Sequence, residues 1–277
     1  NPNLNLLGLN QTKKSLLLLL GIEILFFLIL YLTLPEPTSK IAGLQSFSWN
    51  YFIAYYAKGI APTWLITEYI NGNLGNEVTI QGDRLDAWYA NIPGQWNGIH
   101  FVQGSINNTI NYAVISNGTT AIRADSVANS NPTLTINNTI IENMSSIGIL
   151  GQGANITANN MVISKCGQYT VACNIGGTYN FTHCTFANYW DYNHRNTPSI
   201  LLNNYYEGAD GNIYIRNLDA ANFTNCIIDG SLSTEVSFQE EELGEFNYTF
   251  DHSLIKLDPT IDTDNEHYIN SIINQSP

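Results

Sequence analysis

The chain has 277 residues, 44% of them hydrophobic, with 10 Lys and Arg against 23 Asp and Glu and a formal charge of −13. That length can bury a sizeable core in one elongated domain. So few cations argue against a groove that tracks nucleic-acid phosphates, and no nucleic-acid partner is expected.

Lys13-Lys14 precede an apolar run from Leu16 to Leu34, interrupted mainly by Glu23. The run is long enough to cross a bilayer as a helix, and the basic pair would keep its N-terminal side in the cytoplasm. Residues 1–40 are therefore expected to be a helical anchor or uncleaved export signal with its linker. A cleaved signal peptide and a buried helix capping a solenoid are the alternatives. Leu34-Pro-Glu-Pro-Thr-Ser reads as a break. Residues 41–72 are rich in aromatic side chains and carry no pattern that assigns them.

From residue 73 to the C-terminus one pattern dominates. A first phrase recurs as Ile110-Asn-Tyr-Ala-Val-Ile115, Ile136-Asn-Asn-Thr-Ile-Ile141, Ala158-Asn-Asn-Met-Val-Ile163, Phe181-Thr-His-Cys-Thr-Phe186, Phe223-Thr-Asn-Cys-Ile-Ile228 and Phe250-Asp-His-Ser-Leu-Ile255. A second phrase alternates with it, beginning with Gly98-Ile-His-Phe101, Ala121-Ile-Arg-Ala124 and Gly148-Ile-Leu-Gly151 and ending with Glu235-Val-Ser-Phe238. The phrases are short and rich in Val, Ile, Phe and Thr, which suits strands. A period of roughly 22–29 residues, stretched where segments are inserted, indicates a solenoid. Strand alternation sends every second side chain inward. The predicted inward columns are Ile99, Ile122, Ile149, Val171, Ile200, Val236, then Phe101, Ala124, Gly151, Cys173, Leu202, Phe238, and in the first phrase Ile115, Ile141, Ile163, Phe186, Ile228, Ile255. The fold class expected is all-β, a parallel β-helix.

Three insertions interrupt the coils: 187–198, 204–217 and the acidic 239–245. Insertions in solenoids are loops and often bind. Trp190, Tyr192, Tyr205 and Tyr206 are candidates to stack on sugar rings, with packing of the inserts onto the coil as the competing role. The outward side of the second-phrase sheet offers His100, Arg123, Asp125, Gln152, Asn174, Asn203 and Gln239. Arg123 and Asp125 point the same way on one strand and are the weak catalytic candidates. Asn174 and Asn203 are candidate ligand contacts. A lyase would need clustered carboxylates for Ca²⁺ and a base. An inverting hydrolase would need two carboxylates about 6.5–9.5 Å apart. The strand positions offer one Asp, so any further acid must come from Asp191, Glu207 or Asp210 on the inserts. Asp258, Asp262, Asp264 and Glu266 could take Ca²⁺, but their spacing is not that of an EF-hand loop. No cofactor is otherwise expected. Cys166, Cys173, Cys184 and Cys226 read as buried free thiols, with a Cys184–Cys226 disulfide as the alternative.

These residues resemble the right-handed parallel β-helices of the pectin-lyase-like superfamily. More narrowly, Gln81-Gly-Asp-Arg-Leu-Asp86, Ile92-Pro-Gly-Gln-Trp-Asn-Gly98 and Cys173-Asn-Ile-Gly-Gly177 resemble surface β-helix proteins of Bacteroidota-type bacteria, mostly of unassigned function. The resemblance implies a protein exported to the cell surface, outer membrane or medium. The expected role is non-catalytic binding of a polysaccharide or another surface protein. A polysaccharide lyase or glycoside hydrolase on the same fold is the alternative, and a structural spacer is the third reading.

Overall fold

The computed structural model describes residues 69–84, 86–126 and 132–274. Every described residue belongs to one compact unit. The expectations for Leu16 to Leu34 and for residues 41–68 lie outside the described residues. Among the described residues no helix is long and apolar enough to cross a membrane.

The regular elements of the described chain are all strands, in two parallel sheets that curl and one antiparallel hairpin, which is compatible with a parallel β-helix. A 14-stranded sheet carries the first phrase, and a 6-stranded sheet carries the second. The second-phrase sheet pairs Ile99 with Ile122, Ile122 with Ile149, Ile149 with Val171, Val171 with Ile200 and Ile200 with Val236. From Ile122 to Val236 that column is buried. The first-phrase column runs in register from Ile115 through Ile141, Ile163, Phe186 and Ile228 to Ile255, fully buried throughout. Rungs about 4.8 Å apart place like side chains in van der Waals contact, which is how such a core closes without voids.

The 14-stranded sheet bends at one residue per coil. Leu134–Met144 and Asn155–Cys166 run through the bend unbroken; elsewhere it separates two strands. The bend residues are Tyr112, Asn138, Asn160, His183, Asn225, His252 and Asn270, all with φ between 48° and 55°. This left-handed conformation is unfavourable for most L-residues and least so for Asn. Asn160 Nδ2 donates to Asn138 Oδ1 at 2.8 Å and Asn138 Nδ2 to Asn111 Oδ1 at 3.0 Å, so neighbouring coils support one another near the bend.

Inside, Phe181, Phe223, Phe250 and Tyr268 stack coil on coil, with ring centroids 5.1, 5.0 and 5.8 Å apart. Gly151 falls in an inward column where a Cβ would lie 2.4 Å from Tyr179 Cε1, so the missing side chain admits the buried Tyr179 ring. The four cysteines are free and buried. Burial pushes the Cys166 thiol up to about 12.

Candidate functional site

On the second-phrase sheet, strands Ile99–Phe101 and Thr120–Asp125 set His100 directly beside Arg123. Asp125 lies one outward position beyond Arg123. His100 Nε2 is 2.8 Å from Asp125 Oδ2, and Arg123 Nε donates to Asp125 Oδ1 at 2.9 Å. Arg123 and Asp125 are thus brought together as the alternation predicts, and His100 completes a clamp on the carboxylate. Both oxygens of Asp125 already accept partners, which leaves it suited to holding side chains in place.

Further along this face the candidates have structural duties. Asn203 is buried; its Oδ1 accepts from the backbone N–H of Ile175 at 3.2 Å and of Tyr205 at 3.1 Å, and its Nδ2 donates to Gln239 Oε1 at 3.2 Å. Asn174, on strand Val171–Asn174, is half-buried. Ala172 and Leu201 take outward positions by alternation yet are buried. The centre of this face is therefore not an open trough.

The inserts pack mainly on themselves and the coil. Trp190 is buried, donates from Nε1 to Asn193 Oδ1 at 2.8 Å, and lies 5.1 Å ring to ring from Tyr192. Tyr192 is exposed, and its hydroxyl donates to the carbonyl of Asn91. Tyr205 and Tyr206 start an antiparallel hairpin, Tyr205–Glu207 with Ile213–Ile215. Tyr206 stacks on Tyr214 at 5.1 Å and 14°. The aromatic pairs stay within their own inserts, so the four candidates do not form one platform. The exposed Asp191 carboxylate faces Lys165 Nζ at 3.5 Å.

Two features were not anticipated from the sequence. The first is buried: Arg195, from the 187–198 insert, holds Glu235 through two hydrogen bonds of 2.6 and 2.8 Å. The signal was Glu235 itself, which opens a second-phrase strand where other coils have Ala121, Gly148 and Ser199.

The second is a groove on the outer side of the first limb of the first phrase. Register aligns Thr135 with Thr157, Thr157 with Asn180, Asn180 with Asn222 and Asn222 with Thr249. The parallel outward column is Asn137, Asn159, Thr182, Thr224 and Asp251. At the C-terminal coils these columns line a groove of about 230 Å³, with Ile269 at its end. Asn222 Nδ2 donates to Asn180 Oδ1 at 2.9 Å, and Asp251 Oδ1 lies 2.6 Å from His252 Nδ1. Hydroxyls and amides both donate and accept, so the lining can meet a partner rich in hydroxyls. The volume is below that of pockets that engulf a small molecule, about 300–1,000 Å³. It suits one edge of an extended chain.

Among the described residues no three His, Cys, Asp or Glu side chains gather as a metal site. Asp258 Oδ1 accepts from the Thr260 N–H and hydroxyl at 2.9 and 2.7 Å, and Asp262 Oδ1 from the Asp264 N–H at 3.0 Å. Compared with known proteins, the chain matches no family model, no curated protein and no solved structure.

Proposed function

We propose that this chain is a non-catalytic, cell-surface or secreted right-handed parallel β-helix of the pectin-lyase-like type that binds a carbohydrate chain. In this reading it is exported, with the Leu16 to Leu34 run as its anchor or signal. The observation that carries the reading is the groove of Asn and Thr side chains around Asn222 and Thr224. Its donors and acceptors repeat with the coil, about every 4.8 Å, so a polymer lying along the coil axis meets amides and hydroxyls rung after rung, until Asp251 and Ile269 close the groove. Binding rather than turnover is supported by Asp125, whose two oxygens are engaged by His100 and Arg123.

The test is a glycan array with the full chain and with Asn222→Ala/Thr224→Ala. The parent is expected to bind a subset of glycans, and the variant to bind about tenfold more weakly, as loss of one or two hydrogen bonds implies. A blank array for the parent, or equal binding by the variant, overturns the reading.

A further inference from the structure

The 204–217 and 239–245 inserts form a second surface, remote in chemistry from the neutral groove. Asn204 joins them: its Nδ2 donates to the Glu241 carbonyl at 3.0 Å, and the Glu241 N–H donates to its Oδ1 at 2.7 Å. Glu245 N–H donates to Asn217 Oδ1 at 3.2 Å. A Cβ on Gly244 would lie 2.5 Å from Ile215 Cγ2, so the turn packs directly on the hairpin. The hairpin tip is also fixed, since Asp210 Oδ2 accepts from the Tyr214 hydroxyl at 2.7 Å and from Asn212 Nδ2 at 2.7 Å.

This rigid platform displays apolar side chains to solvent. Leu243 is 89% exposed and Ile213 is 54% exposed. Ile213 and Ile215 share one face of the hairpin by alternation, and Ile215 is the residue that Gly244 packs against. Glu207 pairs with Ile213 across the hairpin, Glu240, Glu241, Glu242 and Glu245 flank Leu243 along the chain, and Arg216 is the single cation of the two inserts. Among the described residues Glu207, Glu240, Glu241 and Glu242 enter no ion pair. Exposed apolar groups that share their inserts with uncompensated carboxylates are costly to leave in water and specify the sign of what covers them.

We propose that this platform docks a cationic segment of another protein, one that places apolar side chains on Leu243 and Ile213 while its Lys or Arg meet the glutamates. A second copy of this chain would bring like charges together, and an anionic bilayer would be repelled. Because the platform is already ordered, little conformational entropy is lost on docking. The inference is independent of the carbohydrate reading and uses none of its residues.

The experiment is fluorescence anisotropy of the full chain with three synthetic peptides: alternating Lys and Leu, alternating Lys and Ser, and alternating Glu and Leu. Lys-Leu is expected to bind, with affinity falling as salt is raised. Lys-Ser and Glu-Leu are expected to bind at least about tenfold more weakly, since each lacks one half of the match. Ile213→Ser/Leu243→Ser is expected to weaken Lys-Leu by at least about tenfold, and Glu240→Gln/Glu242→Gln to flatten its salt dependence. Both pairs alter exposed side chains, and circular dichroism checks that the coils persist. Equal binding of Lys-Ser, indifference to either pair of substitutions, or no binding of Lys-Leu overturns the proposal. So does concentration-dependent dimerisation of the parent that the Leu243→Ser change abolishes.

Discussion

Arg195 and Glu235 lie 40 residues apart in sequence and meet side by side inside the protein, the guanidinium spanning both carboxylate oxygens at 2.6 and 2.8 Å. Their side chains are 1% and 0% exposed. Glu235 also accepts from the Ser199 N–H and hydroxyl and from the Leu232 N–H, while Arg195 donates to the carbonyls of Thr197 and Asn188. The pair therefore ties the 187–198 insert to the head of two second-phrase strands. Removing one partner leaves the other charged and buried, at a cost of about 3–5 kcal/mol. Arg195→Met and Glu235→Gln are each expected to lower the thermal midpoint clearly. Arg195→Met/Glu235→Leu, which leaves no charge behind, is expected to recover part of that loss. A double variant no more stable than either single would show that the pairing is not what the insert depends on.

Gly151 tests the inward register from the other side. A Cβ there would meet Tyr179 at 2.4 Å from Cε1 and 2.6 Å from the hydroxyl oxygen. Tyr179 is fully buried and its hydroxyl donates to the Gly176 carbonyl at 2.9 Å. The ring has nowhere to retreat, so Gly151→Ala is expected to destabilise by about 1–3 kcal/mol, the range for overpacked cores. Tyr179→Phe, which loses only the hydrogen bond, is expected to cost about 1 kcal/mol. Denaturant unfolding of both variants measures the difference, and an Ala variant as stable as the parent would mean the two residues do not share that space.

How much of this could be read beforehand follows from the geometry of stacking. A solenoid repeats the environment of each position, so Ile122, Ile149 and Val171 announce one buried file without any long-range inference. The coil that pairs Tyr268–Ile269 and Ile272–Ile273 onto its predecessor is hard to read, although Tyr-Ile-Asn-Ser-Ile-Ile is the first phrase again. The acidic residues before it disguised the period. The bend was half legible: Asn138, Asn160 and Asn225 signal it, whereas Tyr112, His183 and His252 adopt the same φ with side chains that do not. The groove was illegible because its Thr and Asn occupy outward positions, where such residues are ordinary. Only the register of several coils makes them a lining. The Arg195–Glu235 pair needed the path of an insert, which no periodicity supplies.

Asp229 and Tyr189 give a pH signature. Burial acts to raise the Asp229 carboxyl, but Lys256, the Tyr189 hydroxyl and the Gly230 N–H outweigh it and hold the group below its ordinary value. The same hydrogen bond, 2.7 Å long, pushes the Tyr189 phenol up to about 12. A lowered carboxyl stabilises the fold above its unfolded value, about 3.9, and that stabilisation is lost as pH falls through the folded value. A raised phenol stabilises below its unfolded value, about 10, and that contribution is lost as pH climbs towards 12. Tyrosinate absorbance of the parent minus that of Tyr189→Phe should therefore show one phenol titrating near 12. In Asp229→Asn that phenol should return towards its ordinary range. A difference curve centred near 10 in the parent would show that the bond does not form in solution.

The Asp125 clamp separates binding from catalysis. To take a proton from a sugar, Asp125 would have to release His100 or Arg123, since each oxygen already has a partner at 2.8 or 2.9 Å. The two basic side chains are substantially exposed, so the clamp itself contributes little to stability. Asp125→Asn and Arg123→Ala are each expected to change unfolding free energy by less than about 1 kcal/mol. Incubated with acidic and neutral polysaccharides, the parent is expected to release neither unsaturated products nor new reducing ends, and the two variants to behave identically. The enzymatic alternative makes the opposite demand: turnover by the parent that falls by about a hundredfold or more in either variant, as loss of an acid–base group entails. Turnover by the parent that both substitutions leave intact would instead place the chemistry on the insert carboxylates, with Glu207 the first to replace: among the described residues it enters no ion pair, whereas Tyr214 and Asn212 hold the Asp210 carboxylate.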